Sequence, residues 1–381
     1  MKSCHVSCKM TITVQEQLVF YKDTQLKMSA QKYGPVARSP RVGLKNIAED
    51  TGLTKATVSR ILAGKDRCPE TTRERVREAA KRLGYRPNLL IRGVQTGRSG
   101  TIGVMLAIEH TFFAQIAAGI HDELIAHDNV PIILWSNHAP GTTATDKANE
   151  TEQLHRLVDR RVDAVILCAR DDTVGKGYVS EILERGIPLV TVDHQLSKLN
   201  VDFVGTDDVM GGRLAAEHLL SLGHKHLAIL TGPDEVLLAR QRRQGFEDSL
   251  RTVSNASCDV YEEKTFDSGQ DGPQALLSAS PRPTALFVTN DQMVPAVYEV
   301  AEQRGLRIPH DLSVVGFGDT FLASLLRPRL TTLQQNPKQI GHIAARMALS
   351  RLDTPLPESP VIIQRLPPPL IVRGSTASPA C

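Results

Sequence analysis

The stretch TGLTKATVSRILAG, residues 51–64, carries side chains suited to contacting a polyanion. Its apolar residues Leu53, Val58 and Ile61 recur at helical spacing, so they fall on one side of a helix. Lys55 and Arg60 fall on the other side, among small and hydroxyl side chains. Basic side chains can donate hydrogen bonds to guanine, and hydroxyl groups can donate to phosphate oxygens. The pattern is typical of a helix that enters a DNA groove, and also of a solvated surface helix.

The distribution of charge favours the DNA-contacting alternative. Residues 41–100 contain 14 Lys and Arg against six Asp and Glu, and residues 1–40 contain six against two. Residues 101–381 contain 25 basic and 34 acidic residues, so the net charge of +3 conceals a basic N-terminal part joined to an acidic body. Such a basic block is typical of a separate polyanion-binding domain.

The composition excludes several other classes of protein. A chain of 381 residues with 41% hydrophobic and 23% charged residues predicts two or three globular domains. No apolar run approaches the ~20 residues that span a bilayer, and the N-terminus has no signal-peptide core. Six scattered cysteines do not form a disulfide framework, so we expect a cytoplasmic protein. Cys4 and Cys8 have no second ligand pair nearby, and no metal site is predicted.

Three helices are predicted between Leu44 and Leu83. Gly52 allows a tight turn after the first helix, and Thr54 can cap the second. The third helix starts after Pro69 and ends at Gly84, with acidic residues early and basic residues late. We interpret residues 1–40 as a mobile tail, in which Met28 is an alternative start, and residues 41–85 as a helical headpiece.

After residue 100 the pattern changes to apolar runs that alternate with amphipathic stretches. TIGVMLAI, DAVILCA, IPLVTVD, HLAILTG and LSVVGFG are typical of buried parallel strands, and FFAQIAAGIHDELIAHD and GGRLAAEHLLSLG of covering helices. About 280 residues of this pattern exceed one ordinary doubly wound sheet. The predicted fold class is therefore α/β, with two doubly wound lobes. Ligands of such folds bind beyond the carboxyl ends of the strands.

The ordered run of motifs resembles the LacI/GalR (lactose-repressor) family of bacterial transcription regulators. The likeness includes LKNIAEDTGLTKATVSRILAG, TTRERVREAAKRLGYRPN, GGRLAAEHLLSLGHKHLAILTGP, TALFVTNDQM and RLTTLQQNPKQIG, and it covers roughly residues 42–376. It implies a helix-turn-helix headpiece at 41–85, a hinge at 86–100 and a sensor of the periplasmic-binding-protein type at 101–376. A homodimer would read a pseudo-palindromic double-stranded operator, and a small molecule in the sensor cleft would change its DNA affinity. No cofactor is implied.

The resemblance also implies which headpiece residues contact DNA. Lys55 and Ala56 match the two principal base-reading positions of the recognition helix, and Arg60 matches a third. Thr54, Thr57 and Ser59 suit phosphate oxygens, although each hydroxyl also suits a helix cap or a solvated position.

In the hinge, PNLLIRGVQTG matches a short helix that wedges apolar side chains into the minor groove. Asn88 and Arg92 fit the family pattern. Val94 replaces the usual leucine, and Gly93 lowers helix propensity by roughly 1 kcal/mol relative to Ala.

Matched positions in the sensor imply an effector site rich in carboxylate, guanidinium and amide groups, which suits a sugar or a related polyol. These positions are Phe112, Phe113, Asp193, Arg242, Asn290, Asp291, Asp319 and Gln335. The alternatives are that the phenylalanines belong to the core, that the aspartates cap helices and that Arg242 forms an ion pair. Gly318 stands where many sugar-binding members have an acid. Either Asp319 compensates, or the ligand lacks the hydroxyl pair that this acid would bind.

Two other classes of function fit the sequence less well. A periplasmic-type solute receptor would share the sensor, but it would have no use for the basic helices. An enzyme is not predicted, because no phosphate loop, nucleophile elbow or acid–base constellation stands at credible spacing. GHKH at 223–226 fits a structural turn better than a metal site. The identity of the effector, and whether it releases or tightens operator binding, stay open at this stage.

Overall fold

The computed structural model describes residues 42–64, 67–86, 97–107, 111–136, 144–168, 176–196, 199–266, 269–354 and 360–380. The chain divides into two compact units, Met1–Asn88 and Leu89–Cys381. The Cys4/Cys8 pair, residues 1–41 and most of the predicted hinge lie outside the described residues. Among the helices that are described, none has the length and apolar character needed to cross a membrane.

The first unit contains the three predicted helices. They are α1 (Leu44–Thr51), α2 (Lys55–Leu62) and α3 (Glu70–Leu83). Gly52 ends α1 in the left-handed conformation, with φ of 70°, and its N–H donates to the carbonyl of Ala48. Gly84 ends α3 in the same way, with φ of 68°. Both turns need φ > 0, which glycine adopts without steric cost.

A small core holds these helices together. It contains Ile47 and Ala48 of α1, Val58 and Ile61 of α2, and Val76, Ala79 and Ala80 of α3. Gly43 precedes α1 without a hydroxyl side chain, and its own N–H donates to Asn46 Oδ1 at 2.9 Å. Each helix therefore contributes one apolar stripe, as the sequence periodicity predicts.

The second unit contains two six-stranded sheets, which confirms the predicted two-lobed α/β fold. The first sheet has the order β11-β5-β4-β3-β1-β2, and the second has the order β12-β10-β9-β8-β6-β7. All strand pairs are parallel except β10 with β12. The strands are β1 (Thr101–Ala107), β2 (Val130–Ser136), β3 (Ala164–Leu167), β4 (Leu189–Val192), β5 (Asp202–Thr206), β6 (His226–Thr231), β7 (Ser257–Glu262), β8 (Ala285–Val288), β9 (Ser313–Gly318), β10 (Thr331–Gln334), β11 (Ile363–Leu366) and β12 (Leu370–Ile371).

Helices separate these strands along the chain. They are α4 (Thr111–Ala126), α5 (Ala144–Asp159), α6 (Lys176–Glu184), α7 (Asp208–Ser221), α8 (Leu237–Leu250), α9 (Asp271–Ser278), α10 (Val294–Gln303), α11 (Phe321–Leu325) and α12 (Pro337–Asp353), with one 3-10 turn at Asp291–Met293. The chain passes between the sheets three times: after β5, after β10 and after β11. Residues at these passages are therefore placed between the lobes.

Glycines let one helix pair in each lobe approach closely. On α7 and α8, a Cβ at Gly212 would lie 1.9 Å from the carbonyl oxygen of Arg242. On α4 and α12, a Cβ at Gly119 would lie 2.1 Å from the carbonyl oxygen of Lys338. No side chain fits at either crossing. The close approach of α8 to α7 brings Arg242 beside the first turn of α7.

Candidate DNA-binding surface and effector site

The recognition helix α2 presents its polar face to solvent. Val58 and Ile61 are buried in the headpiece core, whereas Lys55, Ala56 and Arg60 are exposed. An exposed methyl group between two basic side chains can contact a thymine methyl while the cations reach guanine. The described geometry therefore leaves the three predicted base-reading side chains on one accessible face.

The hydroxyl groups of Thr54 and Thr57, at the start of α2, have partners within the headpiece. Thr54 is the N-cap of α2, because its Oγ1 accepts a hydrogen bond from the N–H of Thr57 at 3.2 Å. The Thr54 and Thr57 hydroxyl groups lie 2.9 Å apart. Ser59 is half-buried. The predicted helix cap is confirmed, and the phosphate contacts of these residues stay a prediction. Asn88, Arg92 and Val94 lie outside the described residues.

In the sensor, Arg242 is buried on α8 and has three interactions. Its Nε donates to Asp208 Oδ1 at 2.7 Å, and its Nη1 donates to the carbonyl oxygen of Thr289 at 2.8 Å. Its Cζ lies 3.8 Å from the centre of the Phe317 ring. Both partners of the ion pair are at least 95% buried. This arrangement fixes the guanidinium plane while leaving further N–H groups of the fork for a ligand.

Asp193 follows β4 in the first lobe and is only 9% exposed. Its backbone adopts the left-handed region with φ of 64°. Burial raises the pKa of Asp193 to about 7, the charge of Asp208 raises it further, and Arg242 opposes this shift. Asp193 therefore interacts electrostatically with Asp208 and Arg242, which belong to the second lobe.

The side chains of Asn290 and Asp291 accept hydrogen bonds from backbone N–H groups of the second lobe. Asn290 Oδ1 accepts from the N–H of Gln292 at 3.0 Å, which caps the 3-10 turn. Asp291 is fully buried and accepts from the N–H of Thr320 at 2.9 Å and from Thr332 Oγ1 at 2.8 Å. Burial raises the pKa of Asp291 to about 6, against the effect of these hydrogen bonds. Ligand contact by either residue stays a prediction.

Gln335 lies at the passage after β10, and Asp319 follows the neighbouring strand β9. Asp319 Oδ1 accepts from Arg373 Nη2 at 2.6 Å, and its Oδ2 accepts from Gln334 Nε2 at 2.9 Å. Gln335 Nε2 donates to Thr206 Oγ1 at 3.2 Å. Gly318 has φ of 139°, a conformation that L side chains rarely adopt, so an acid at this position would be strained. The Asp319 carboxylate is thus next to Gly318, the position at which many sugar-binding members have an acid. Both of its oxygens already accept hydrogen bonds.

The two phenylalanines lie in the first turn of α4 and have different environments. Phe112 and Phe113 form an edge-to-face pair with ring centres 5.2 Å apart. Phe113 is 9% exposed and belongs to the first-lobe core, as the alternative interpretation held. Phe112 lines a cavity of about 670 Å³ together with Asp319 and Gln335. The structure thus divides the predicted site into this cavity and the buried group of Asp193, Asp208 and Arg242.

Sequence reasoning missed several residues of this region. Asp208, Phe317 and Arg373 hold the predicted side chains, and Thr206 bonds Gln335. Asp208 gave a usable signal, because the pair of aspartates after β5 stands at a strand-to-helix junction. No sequence signal pointed to Arg373, because it is 54 residues from its partner Asp319 along the chain.

The GHKH segment has a structural role. His224 is 2% exposed, and its ring bonds Thr284 Oγ1 at 2.9 Å and the carbonyl oxygen of Ala377 at 2.9 Å. It thereby fastens the segment after β12 to the second lobe. Within the described ranges, no group of His, Cys, Asp or Glu side chains is placed to hold a metal ion.

Comparisons with known proteins agree with this architecture. Residues 43–88 match the family model of bacterial regulatory proteins of the lacI family, and residues 216–376 match the periplasmic binding protein-like domain. The ribose operon repressor of Haemophilus influenzae is 30% identical over 317 residues, which are 82% of this chain and 92% of that protein.

Two solved structures are similar in fold and sequence. The lac repressor dimer bound to operator and an anti-inducer superposes with a TM-score of 0.77 at 26% identity, over 89% of this chain and 100% of that one. A LacI family regulator from Enterococcus faecium with bound ribose gives a TM-score of 0.62 at 28% identity, over 73% of this chain and 99% of that one.

A helix-turn-helix headpiece on a two-lobed binding-protein fold defines the class of ligand-responsive transcription regulators. The chain belongs to the LacI family of bacterial regulatory proteins. It is a DNA-binding regulator, and the match of the headpiece favours this function over that of a solute receptor. The relatives named above are transcriptional repressors rather than enzymes.

Proposed function

We propose that this protein is a homodimeric transcriptional repressor that binds a pseudo-palindromic operator through α2 and binds an uncharged sugar between its sensor lobes. Lys55, Ala56 and Arg60 read bases in the major groove, and Thr54, Thr57 and Ser59 contact phosphates. Asn88, Arg92 and Val94 form the minor-groove hinge. We extend the same proposal to location in the cytoplasm and to the absence of catalysis.

The observation that carries the proposal is the separation of two kinds of chemistry in one chain. The exposed face of α2 offers two cations on a helix that its own core holds in place. The sensor offers Arg242 and Asp193 from opposite lobes, at positions matched to effector contacts. A similar regulator was solved with ribose, and the relative from Haemophilus influenzae is a ribose operon repressor. Both favour a sugar as effector.

The sensor charges support an uncharged ligand. Asp193 and Asp208 face one guanidinium, Arg242, so this group has an excess of negative charge when all three side chains are ionised. A sugar phosphate or sugar acid would bring like charge to Asp193, which costs binding free energy at short range. A hydroxyl group can instead accept from Arg242 and donate to a carboxylate.

A two-stage experiment tests the proposal on the full-length protein. Selection from a randomised DNA library should return a sequence with two related half-sites, because a dimer repeats one contact set. Thermal-shift assays against D-ribose, cellobiose, gluconate, ribose 5-phosphate and guanine should then show stabilisation by a neutral sugar. A ligand at ~100 times its Kd stabilises by ~2.7 kcal/mol. Stabilisation by gluconate or ribose 5-phosphate alone would overturn the sugar class, and a selected sequence without repeats would overturn the dimeric operator.

A further inference from the structure

Asp193 is buried, but no hydrogen-bond donor to its carboxylate is found among the described residues, and only burial and the charges of Asp208 and Arg242 influence its pKa. Buried carboxylates usually accept several hydrogen bonds, because the charge is otherwise costly to remove from water. The residue also has φ of 64°, a left-handed conformation for a non-glycine residue. Such outliers concentrate at ligand-binding positions. Both observations indicate a carboxylate placed for a partner outside this chain.

The other buried carboxylates of the sensor are satisfied within the chain. Asp202 accepts from Arg351, Asp208 accepts from Arg242, and Asp291 accepts from Thr320 and Thr332. The half-buried Asp319 accepts from Arg373 and Gln334. Asp319 makes the closest comparison, since it too follows a strand of the sheet and has φ of 50°. The same backbone geometry therefore gives a hydrogen-bonded carboxylate in the second lobe and, in the first, one without a donor in the part of the chain that the structure describes.

The charges around Asp193 come mainly from the second lobe. Asp208 at the start of α7 disfavours its ionised form, and Arg242 on α8 favours it. The charge of Asp207 raises the pKa of Asp208, and the charge of Arg365 lowers it. The buried His194 is the residue that follows Asp193 in the chain. Burial is the largest influence and raises the pKa of Asp193 to about 7, so near neutral pH the carboxyl is half protonated.

We propose that effector binding ionises Asp193: a ligand hydroxyl donates a hydrogen bond to the carboxylate, and the Asp193 proton is released to solvent. The inference rests on the proposed function, because it assigns the chemistry of the same site. The proton leaves the carboxyl oxygen, the ligand O–H takes its place as the donor, and no other group changes its protonation. Donation to the ionised form lowers the pKa of a carboxyl group, so binding and deprotonation favour each other.

The direction of proton exchange reports the class of ligand. A neutral polyol supplies a donor and drives proton release. A ligand that places a carboxylate or an ionised phosphate against Asp193 offers only acceptors there, so it would require the protonated carboxyl and would cause proton uptake. The inference therefore commits the site to a hydroxyl donor and predicts that effector affinity weakens as the pH falls.

Isothermal titration calorimetry on the full-length protein tests the inference, with D-ribose or cellobiose as the probe, whichever stabilises the protein more. Titrations at pH 7 in buffers of different ionisation enthalpy should show release of about half a proton for each sugar bound. The Kd should be about tenfold higher at pH 6 than at pH 8. Net uptake, or a Kd that does not change with pH, would overturn the inference while leaving sugar binding intact.

Two variants make the test specific to this carboxylate. Asp193→Asn should weaken sugar binding and abolish the proton release, because the amide does not titrate. Asp248→Asn removes an equal charge from the exposed face of α8 and should keep both the proton release and the pH dependence. Loss of the pH dependence in Asp248→Asn would assign the linkage to net charge and contradict the role of Asp193.

A ligand-free measurement completes the test. Because the folded pKa of Asp193 lies above its unfolded value, ionisation destabilises the folded protein as the pH rises toward about 7. The melting temperature of Asp193→Asn should therefore exceed that of the parent protein at pH 8, and the difference should shrink toward pH 5. A variant that melts lower at every pH would show that the carboxylate accepts structural hydrogen bonds. Failure of both sugars to bind the parent protein would overturn the proposed effector class, and the inference with it.

Discussion

The headpiece and the sensor use opposite strategies for their polar groups. On α2, Lys55 and Arg60 are exposed, and the core of the headpiece lies on the other side of the helix. In the sensor, Arg242 and Asp208 are at least 95% buried and bond to each other. If the proposed function holds, truncation on α2 removes only a contact with DNA, whereas truncation of Arg242 or Asp208 leaves a buried charge without its partner.

This difference decides which measurements separate function from stability. A surface residue can be removed without changing the fold, so a change in DNA affinity reports its contact directly. Under the proposed function, a residue of the buried cluster contributes to both ligand binding and folding. The effects on ligand binding and on folding can be separated only with a second substitution, which removes the charge that the first substitution leaves buried without a partner.

The largest effect is expected for Arg242→Ala. The substitution leaves Asp208 buried without its guanidinium partner, which costs about 3–5 kcal/mol of unfolding free energy. Urea denaturation followed by circular dichroism should show this loss, and sugar binding should be lost as well. Arg243→Ala is the matched control, since Arg243 pairs with Glu247 near the surface and should contribute less than about 1 kcal/mol.

The double variant Arg242→Ala/Asp208→Ala then sharpens the comparison. Removing both charges should restore part of the stability, because no ion is left unpaired, while sugar binding stays lost. A double variant less stable than Arg242→Ala alone would show that the pair is not the source of the cost.

Ile47→Ala should have the next largest effect, confined to the headpiece. Ile47 is fully buried, and such a truncation costs about 2–5 kcal/mol. A core this small supplies roughly 3–5 kcal/mol in total, so the headpiece should unfold. Operator affinity measured by fluorescence anisotropy should be lost, while sugar binding by the separate sensor unit should persist. Loss of sugar binding would show that the two units fold together.

The fold followed from the sequence because its signals are local and repeated. Apolar runs such as those of β3 and β9, alternating with amphipathic helices, require covered parallel sheets. Gly52 and Thr54 marked the turn and the cap of the headpiece, and both act as predicted. These features depend on neighbours within a few residues.

The effector site was less predictable because its partners are distant in the chain. Asp208 and Arg242 are 34 residues apart, and Asp319 and Arg373 are 54 residues apart. Residue type alone does not show whether an aspartate after a strand accepts hydrogen bonds, as Asp319 does, or has no donor among the described residues, as is the case for Asp193. The matched positions predict where the effector binds, and only the three-dimensional packing separates these two aspartates.

A smaller effect, on specificity alone, is expected for Lys55→Ala. The substitution should relax base preference at one operator position by about 1–3 kcal/mol, and the melting temperature should not change because Lys55 is exposed. Selection from a randomised operator library measures the preference. Lys45→Ala removes an exposed lysine on α1 and serves as the control. An unchanged preferred sequence in Lys55→Ala would make this residue a phosphate contact.

The smallest effect is expected from the histidines that fasten the C-terminal segment of the sensor. Burial lowers the pKa of His224, and the hydrogen bond that its ring makes with the carbonyl oxygen of Ala377 opposes this shift. The pKa of His218 is also lowered, by burial and by His224. A lowered folded pKa favours the neutral ring, so the stabilisation is present above about pH 6.5 and is lost as the pH falls below it. Asp193 and Asp291 change the stability of the sensor in the opposite direction over this range, so the histidine effect is measured as a difference between proteins. The melting temperature of the parent protein should fall relative to that of His224→Asn between pH 8 and pH 5. His310→Asn changes an exposed histidine and should leave the decline unaltered. If His224→Asn kept the full decline, the acid sensitivity would belong to another group.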